Sequence, residues 1–262
     1  MRITTITNLK GGTGKSTLTT NLPGVLLERG KRVLLVDLDK QASLTSTFTS
    51  PETYNPDNGP GMYQALMNGK SFREIIQHVE IPCPGPGDRV DTLALLPAEW
   101  DLILLDKNLS NDPNAMFDLA DRLEELSGDY DNCLIDTPPD LRLETRMALA
   151  ASHDYLTPIN PDELAVKGIM MLELEAEKLR RKINPKLRFL GYVFNAVQTN
   201  RRHMEENIRE YRERLGDRIL KTEIRQSIKY AEARSEQKPI THYQPKSEWA
   251  DLIRQLAQEI DL

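Results

Sequence analysis

The segment Lys10-Gly11-Gly12-Thr13-Gly14-Lys15-Ser16-Thr17 constrains this chain more than any other part of it. It follows a short β-rich run, Arg2–Thr7, and precedes a stretch, Ser16–Arg29, that reads as a helix closed by Gly30 as its C′ residue. A glycine-rich turn between a strand and a helix is built to hold phosphate. Glycines let the backbone approach closely and aim its N–H groups inward. The helix N-terminus adds positive potential. The backbone of Gly11, Gly12, Thr13 and Gly14 then forms the cradle, and Lys15 supplies a cation to the β- and γ-phosphates. Ser16 offers a hydroxyl to Mg²⁺ and Thr17 a hydroxyl near the α-phosphate. The strict pattern GxxxxGK[ST] asks for glycine at position 9, where this chain has Leu9. The pattern KGGxGK[ST] is nevertheless demanding, expected by chance about once in 10⁴–10⁵ chains of this length.

Strands and helices alternate beyond the loop. Arg32–Val36, Asn132–Ile135, Tyr155–Ile159 and Leu187–Asn195 are apolar runs suited to strands buried on both faces. Asp112–Leu126 is helical in period, with Met116, Leu119, Ala120, Leu123 and Leu126 on one face. The series predicts one α/β domain over residues 1–262. Its expected architecture is a P-loop NTPase, a mostly parallel twisted sheet with helices on both faces. Ser50–Gly61 and Ile81–Asp88, dense in Pro, Gly, Asn and Asp, read as surface loops.

Two further segments complete a nucleotide site. Val33–Asp39 ends a strand in Asp37 and Asp39, which strand alternation places on the same side. A carboxylate there holds the waters of magnesium or orients an attacking water. Asn132-Cys133-Leu134-Ile135-Asp136 is an apolar run ending in a carboxylate, the form of a strand whose Asp136 reaches Mg²⁺ through water.

Composition bounds the remaining choices. With 39% hydrophobic and 28% charged residues the chain is too apolar for disorder. Its two cysteines, Cys83 and Cys133, make no disulfide scaffold and no metal-ligand spacing, which fits a reducing cytosol. The four histidines read as isolated surface or packing residues. No apolar run approaches the ~20 residues of a membrane span. The net charge of −6 conceals an asymmetry: Ala176–Lys246 holds 18 basic and 9 acidic residues, and the remainder 16 basic and 31 acidic. Such a split marks a candidate interaction face.

Lys10 directly before the glycine pair makes the loop resemble the deviant Walker A box of the ParA/MinD family of ATPases, and Leu9 resembles the ParA branch. The resemblance runs from Arg2 to about Pro239. It implies two ATP molecules sandwiched in a homodimer, with Lys10 crossing to the nucleotide of the other subunit. VDLDKQAS resembles the family's first switch, with Lys40 where proline is usual. Asp39 then matches the water-positioning residue, with Asp37 on the metal side. Ile135-Asp136-Thr137-Pro138-Pro139 resembles the second switch. Thr157–Pro161 resembles a later strand end, and Asn195 falls where the family reads the adenine edge.

Three functions compete within that resemblance. A ParA-type partition ATPase binds nucleoid DNA without sequence preference as an ATP dimer. A MinD-type ATPase binds membrane through a C-terminal amphipathic helix. An iron protein sharing the Walker box donates electrons. Ser247–Leu262 is amphipathic but carries one arginine against four carboxylates, whereas membrane-binding helices are basic, so it is expected on the core. Neither cysteine is placed to ligate a cluster. The basic tract favours DNA, since phosphate neutralisation needs Lys and Arg and no base-reading geometry. Lys178–Lys182 (KLRRK), Arg201, Arg202, Arg225, Lys229 and Lys238 are the candidates. Lys229 matches a DNA-contacting arginine of the family; Gln198 matches another such position, and Arg201 and Arg202 stand in for it. The expectation is a cytoplasmic, nucleoid-associated ATPase without a preceding DNA-reading domain, using ATP and Mg²⁺. It works with a ParB-like or McdB-like adaptor to position a plasmid, a chromosome origin or a carboxysome-like organelle, with no membrane partner.

Overall fold

The central strands are short runs of Val, Leu and Ile with no polar face, so they are stable only with helices on both sides. In the computed structural model, which describes residues 1–262 apart from positions 51, 58, 84–88, 110, 162–165 and 199–200, they form the middle of an eight-stranded sheet. The strands are β1 (Arg2–Ile6), β2 (Val33–Asp37), β3 (Gln77–Pro82), β4 (Val90–Leu96), β5 (Asn132–Asp136), β6 (Asp154–Ile159), β7 (Arg188–Val197) and β8 (Ile219–Arg225). Their order is β3-β4-β2-β5-β1-β6-β7-β8. Only β3 runs antiparallel to its neighbour.

Successive residues of β2 serve opposite cores. Val33 and Leu35 pack with Leu18 and Leu22 of helix α1 (Lys15–Glu28), and with Ile253 and Leu256 near the C-terminus. Leu34 and Val36 pack on the other face with Leu119, Leu123, Met147 and Ala148. The doubly covered α/β sheet is therefore as the alternation predicts. Helix α1 contains Pro23 and is followed by Gly30 at φ 69°, the left-handed turn that glycine adopts without strain.

Several expectations are corrected. The helix expected over Asp112–Leu126 is confined to Ala115–Glu124, because Asp112–Asn114 form a turn closed by the Asp112 side chain accepting from the Asn114 N–H at 2.8 Å. β3, β4 and β8 have no counterpart among the strands read from sequence. Ile81 and Pro82 belong to β3 rather than to a loop. Pro82 is tolerated because it closes an edge strand, where an absent N–H costs little. Positions 84–88 of that expected loop lie outside the described residues, as do 51 and 58 of the Ser50–Gly61 loop. The latter loop is pinned inward by Tyr54, whose hydroxyl donates to the Ala98 carbonyl at 3.1 Å.

The C-terminal helix, Glu248–Glu259, is capped by Ser247 and buries Ala250, Ile253, Leu256 and Ala257. Arg254 pairs with Glu28 of α1 at 2.7 Å, and Glu259 accepts from the N–H groups of Lys221 and Thr222 in β8. Its apolar face is spent on the core, as its acidic polar face predicts. No described helix is long and apolar enough to cross a membrane.

Candidate nucleotide site

Parallel register brings three strand ends level. Ile6 of β1 and Asp37 of β2 both pair with Asp136 of β5. The chain leaves β1 into the glycine-rich loop and returns as α1, so the loop sits above the two carboxylates. Gly12 and Gly14 have φ of 72° and 96°. Gly14 is required twice over: its backbone is left-handed, and a Cβ there would meet Asn195 Nδ2 at 1.9 Å.

Asp136 is fully buried, and no hydrogen bond of normal geometry closes on either of its oxygens. Burial pushes its carboxyl up to about 8, with buried Asp37 adding to the push and the Ser16 hydroxyl and Lys15 ammonium opposing it. Lys15 is itself buried; burial pulls its ammonium down, while Asp136, Asp39 and Asp140 hold it up. Its Nζ donates to the Lys10 carbonyl at 3.4 Å.

Asp37 is placed differently from a bare metal ligand. Its Oδ2 accepts from the Thr45 N–H and hydroxyl, each at 2.8 Å, and its Oδ1 accepts from the Asp39 N–H at 3.1 Å. Burial still pushes its carboxyl up to about 6. Asp37 and Asp39 are thus gathered by a side-chain turn, because β2 ends at Asp37 and no alternation continues to Asp39. Asp39 accepts from the Gln41 N–H at 2.9 Å, and its carboxyl is also raised by burial. The turn closes with Ala42 at φ 50°, a left-handed non-glycine residue.

Buried orphaned oxygens, one hydroxyl and one lysine make a donor set that suits a hard divalent cation bridged to phosphates. Ser16 and Asp136 are the residues that would hold it. Perturbed carboxylates in one cleft are also a mark of a functional site.

Asn195 ends at the phosphate loop itself. Its Nδ2 donates to the Thr13 carbonyl at 3.0 Å, so one amide donor steadies the loop. Beside it a cavity of about 280 Å³ opens, lined by Thr17, Thr47, Asn195, Arg225, Tyr230 and Arg234 among others. Thr45, Thr47, Tyr230 and Arg234 were invisible to motif reading: the first two come from helix Thr45–Phe48 and the last two from helix Ile228–Ser235, and no local spacing points to them.

The basic candidates divide. Val197 pairs with Arg225, and the Gln198 amide donates to Gln226, so the segments after β7 and β8 lie together on the nucleotide edge of the sheet. Arg201 directly precedes helix Arg202–Leu215, Arg202 faces Glu206 at 3.4 Å, Arg225 faces Glu248 at 3.2 Å, and Lys229 faces Glu232 at 2.8 Å. Lys229 lies in the first turn of helix Ile228–Ser235, and Lys238 follows its C-terminal end, its N–H donating to the Ala233 carbonyl at 3.0 Å. KLRRK is paired in the same way. Lys178 pairs with Glu175, and Arg180 and Arg181 with Glu177, within their own helix.

Comparison with known proteins agrees with this geometry. Residues 1–189 match a family model described as an AAA domain. The chromosome partitioning protein ParA of Myxococcus xanthus is 30% identical over 260 residues, covering 99% of this chain and 87% of the relative. A Mycobacterium smegmatis structure described as cobyrinic acid a,c-diamide synthase with bound ADP and magnesium superposes with TM-score 0.81. It is 26% identical, over 98% of this chain and 93% of that one. The ATP complex of an aspartate-to-alanine variant of Cyanothece McdA superposes with TM-score 0.82 over 100% of this chain and 97% of that one, at 19% identity.

Proposed function

The chain belongs to the ParA family of deviant Walker ATPases, and from that premise we propose that it is an ATP-dependent dimerising ATPase that binds DNA without sequence preference and positions or segregates an intracellular cargo. The observation that carries the nucleotide half is the orphaned Asp136 carboxylate, level with Asp37 and beneath Lys15 and Ser16. In this reading Ser16 and Asp136 hold Mg²⁺, with Asp37 beside them; when bound, the ion neutralises phosphate charge. Lys15 and the backbone of Gly11–Ser16 hold the phosphates, and Thr17 lies near the α-phosphate. Asp39 orients the attacking water; its raised carboxyl suits a residue that shares a proton with that water. Lys10 of each subunit reaches the nucleotide of the other. Asn195 steadies the loop and presents its remaining amide atoms toward the base.

The DNA half is supported by the basic residues that share the nucleotide edge of the sheet, Arg225, Lys229, Arg201 and Arg202, with Lys238 just past the end of the helix that carries Lys229. Dimerisation doubles that surface, which makes DNA binding conditional on ATP. A cargo-bound ParB-like or McdB-like adaptor stimulates hydrolysis and ends the DNA-bound state. The protein is then cytoplasmic and nucleoid-associated.

The test is a salt-titrated DNA-binding assay with ATP, ADP and no nucleotide. ATP-dependent binding that falls steeply with salt is the expected result. Equal binding in all three states refutes the proposal. Liposome binding without DNA binding favours a MinD-like membrane-associated ATPase instead. The buried apolar face of helix Glu248–Glu259 argues against that outcome.

A further inference from the structure

We propose that Cys83, Asp91 and His242 form a site for one transition-metal ion, zinc being the best chemical match, on the edge of the sheet opposite the nucleotide. The Cys83 thiol, an Asp91 carboxylate oxygen and a His242 ring nitrogen all lie within 4.8 Å of one another. They come from three elements: Cys83 directly follows β3, Asp91 is the second residue of β4, and His242 lies in the short helix Ile240–Tyr243. β4 runs parallel to β2, so its beginning is far from the strand ends that carry Asp37 and Asp136. The inference therefore stands apart from the nucleotide reading.

The separations suit a tetrahedral ion. With zinc–ligand bonds of 2.0–2.3 Å, neighbouring ligand atoms sit about 3.3–3.8 Å apart. His242 Nε2 is 3.1 Å from Asp91 Oδ2, so that pair needs only a few tenths of an ångström. Cys83 closes by about 1 Å at most.

The outer contacts are those of a ligand set. His242 is buried and its Nδ1 lies 3.1 Å from the Thr241 hydroxyl, which fixes the ring and turns Nε2 to the cluster. Arg89 donates to the other Asp91 oxygen at 3.0 Å and holds that carboxylate in place. The Cys83 N–H donates to the Arg89 carbonyl at 2.9 Å, which sets the thiol against Asp91. Thiol, imidazole and one carboxylate are a zinc-type donor set, too soft for magnesium. Cys83 and Asp91 are each half-buried, which leaves one coordination position to water. Burial and Asp91 push the Cys83 thiol up, so it holds its proton without metal and releases it to solvent when the sulfur–metal bond forms. His242 thus departs from the expectation of four isolated histidines.

Cobalt(II) titration of the reduced, chelator-treated full chain tests the site. One equivalent should produce a thiolate-to-cobalt charge-transfer band that zinc abolishes. Cys83→Ser should lose the band and bind zinc at least tenfold more weakly in competition with a chromophoric chelator. Asp91→Asn should weaken zinc in the same assay. Cobalt on the oxygen donors of Ser16 and Asp136 gives no thiolate band, so the two sites are told apart. Cys83→Ser alters one partly exposed atom, and its thermal midpoint in chelator should match the parent. Absence of the band, or a band that survives Cys83→Ser, overturns the proposal. The Asp91–His242 contact is then only a brace between β4 and the 240–243 helix.

Discussion

Asp136→Asn should make the nucleotide-free protein more stable while abolishing its chemistry. The side chain is fully buried with no hydrogen bond of normal geometry on either oxygen, and its carboxyl is raised from an ordinary 3.8 to about 8. A carboxyl whose folded-state value is raised contributes stability while protonated, and that contribution fades as pH climbs through the folded value. The cost to the folded state therefore grows between about pH 4 and pH 8. At 1.36 kcal/mol per unit it reaches about 4 kcal/mol at pH 7 and stays under about 2 kcal/mol at pH 5. Asparagine matches the protonated carboxyl in shape and carries no such cost. Urea unfolding in chelator at pH 5, 6, 7 and 8 measures the difference. The variant should exceed the parent by a margin that widens by about 2–3 kcal/mol from pH 5 to pH 7. The same variant should lose Mg²⁺-dependent ATP turnover. A margin that is flat with pH, or a variant less stable at pH 7, refutes the reasoning: the carboxylate would then be ionised and satisfied.

Gly14→Ala should weaken ATP binding at least tenfold. A left-handed alanine costs about 1–2 kcal/mol, and its Cβ must expel Asn195 from Thr13; isothermal titration reads the loss, and unchanged affinity rejects the packing argument. Lys10→Ala should retain ATP affinity and lose turnover. Normal turnover in purified dimer removes the cross-subunit role. Replacing Arg225 and Lys229 together by alanine should lower the slope of log affinity for DNA against log salt by about 2, and equal slopes exclude both as phosphate contacts.

The phosphate loop was legible because its chemistry is written in eight consecutive residues between a strand and a helix. Asp136 was legible for the same reason, an apolar run ending in a carboxylate. The partnership of Asp136 with Asp37 needed the β2–β5 register, which no local pattern contains. Asp39 was found for a partly wrong reason: its approach to Asp37 comes from a backbone N–H captured by the Asp37 side chain rather than from strand alternation. β3 escaped notice because only one of its residues is fully buried and Pro82 closes it, so its sequence has the look of a turn. The local partners of the basic tract were not read from the sequence: Glu175 and Glu177 stand one helical turn from Lys178, Arg180 and Arg181, as Glu206 and Glu232 do from Arg202 and Lys229. Asn195 was found as an end-of-strand residue, but its contact with Thr13 spans the chain and belongs to the tertiary fold alone.

That contact gives the molecule a short mechanical circuit. Thr13 on the phosphate loop is tied by one amide to Asn195, the next residue is Ala196 at φ 59°, and the one after it is laddered to Arg225. A second tie runs from Ser43, in the turn after Asp39, to Arg234 on the helix that carries Lys229. Alanine held left-handed stores about 1–2 kcal/mol, so the first tie is a latch beside a loaded spring. The two ties link the phosphate loop and the Asp39 turn by hydrogen bonds to the segments that carry Arg225 and Lys229.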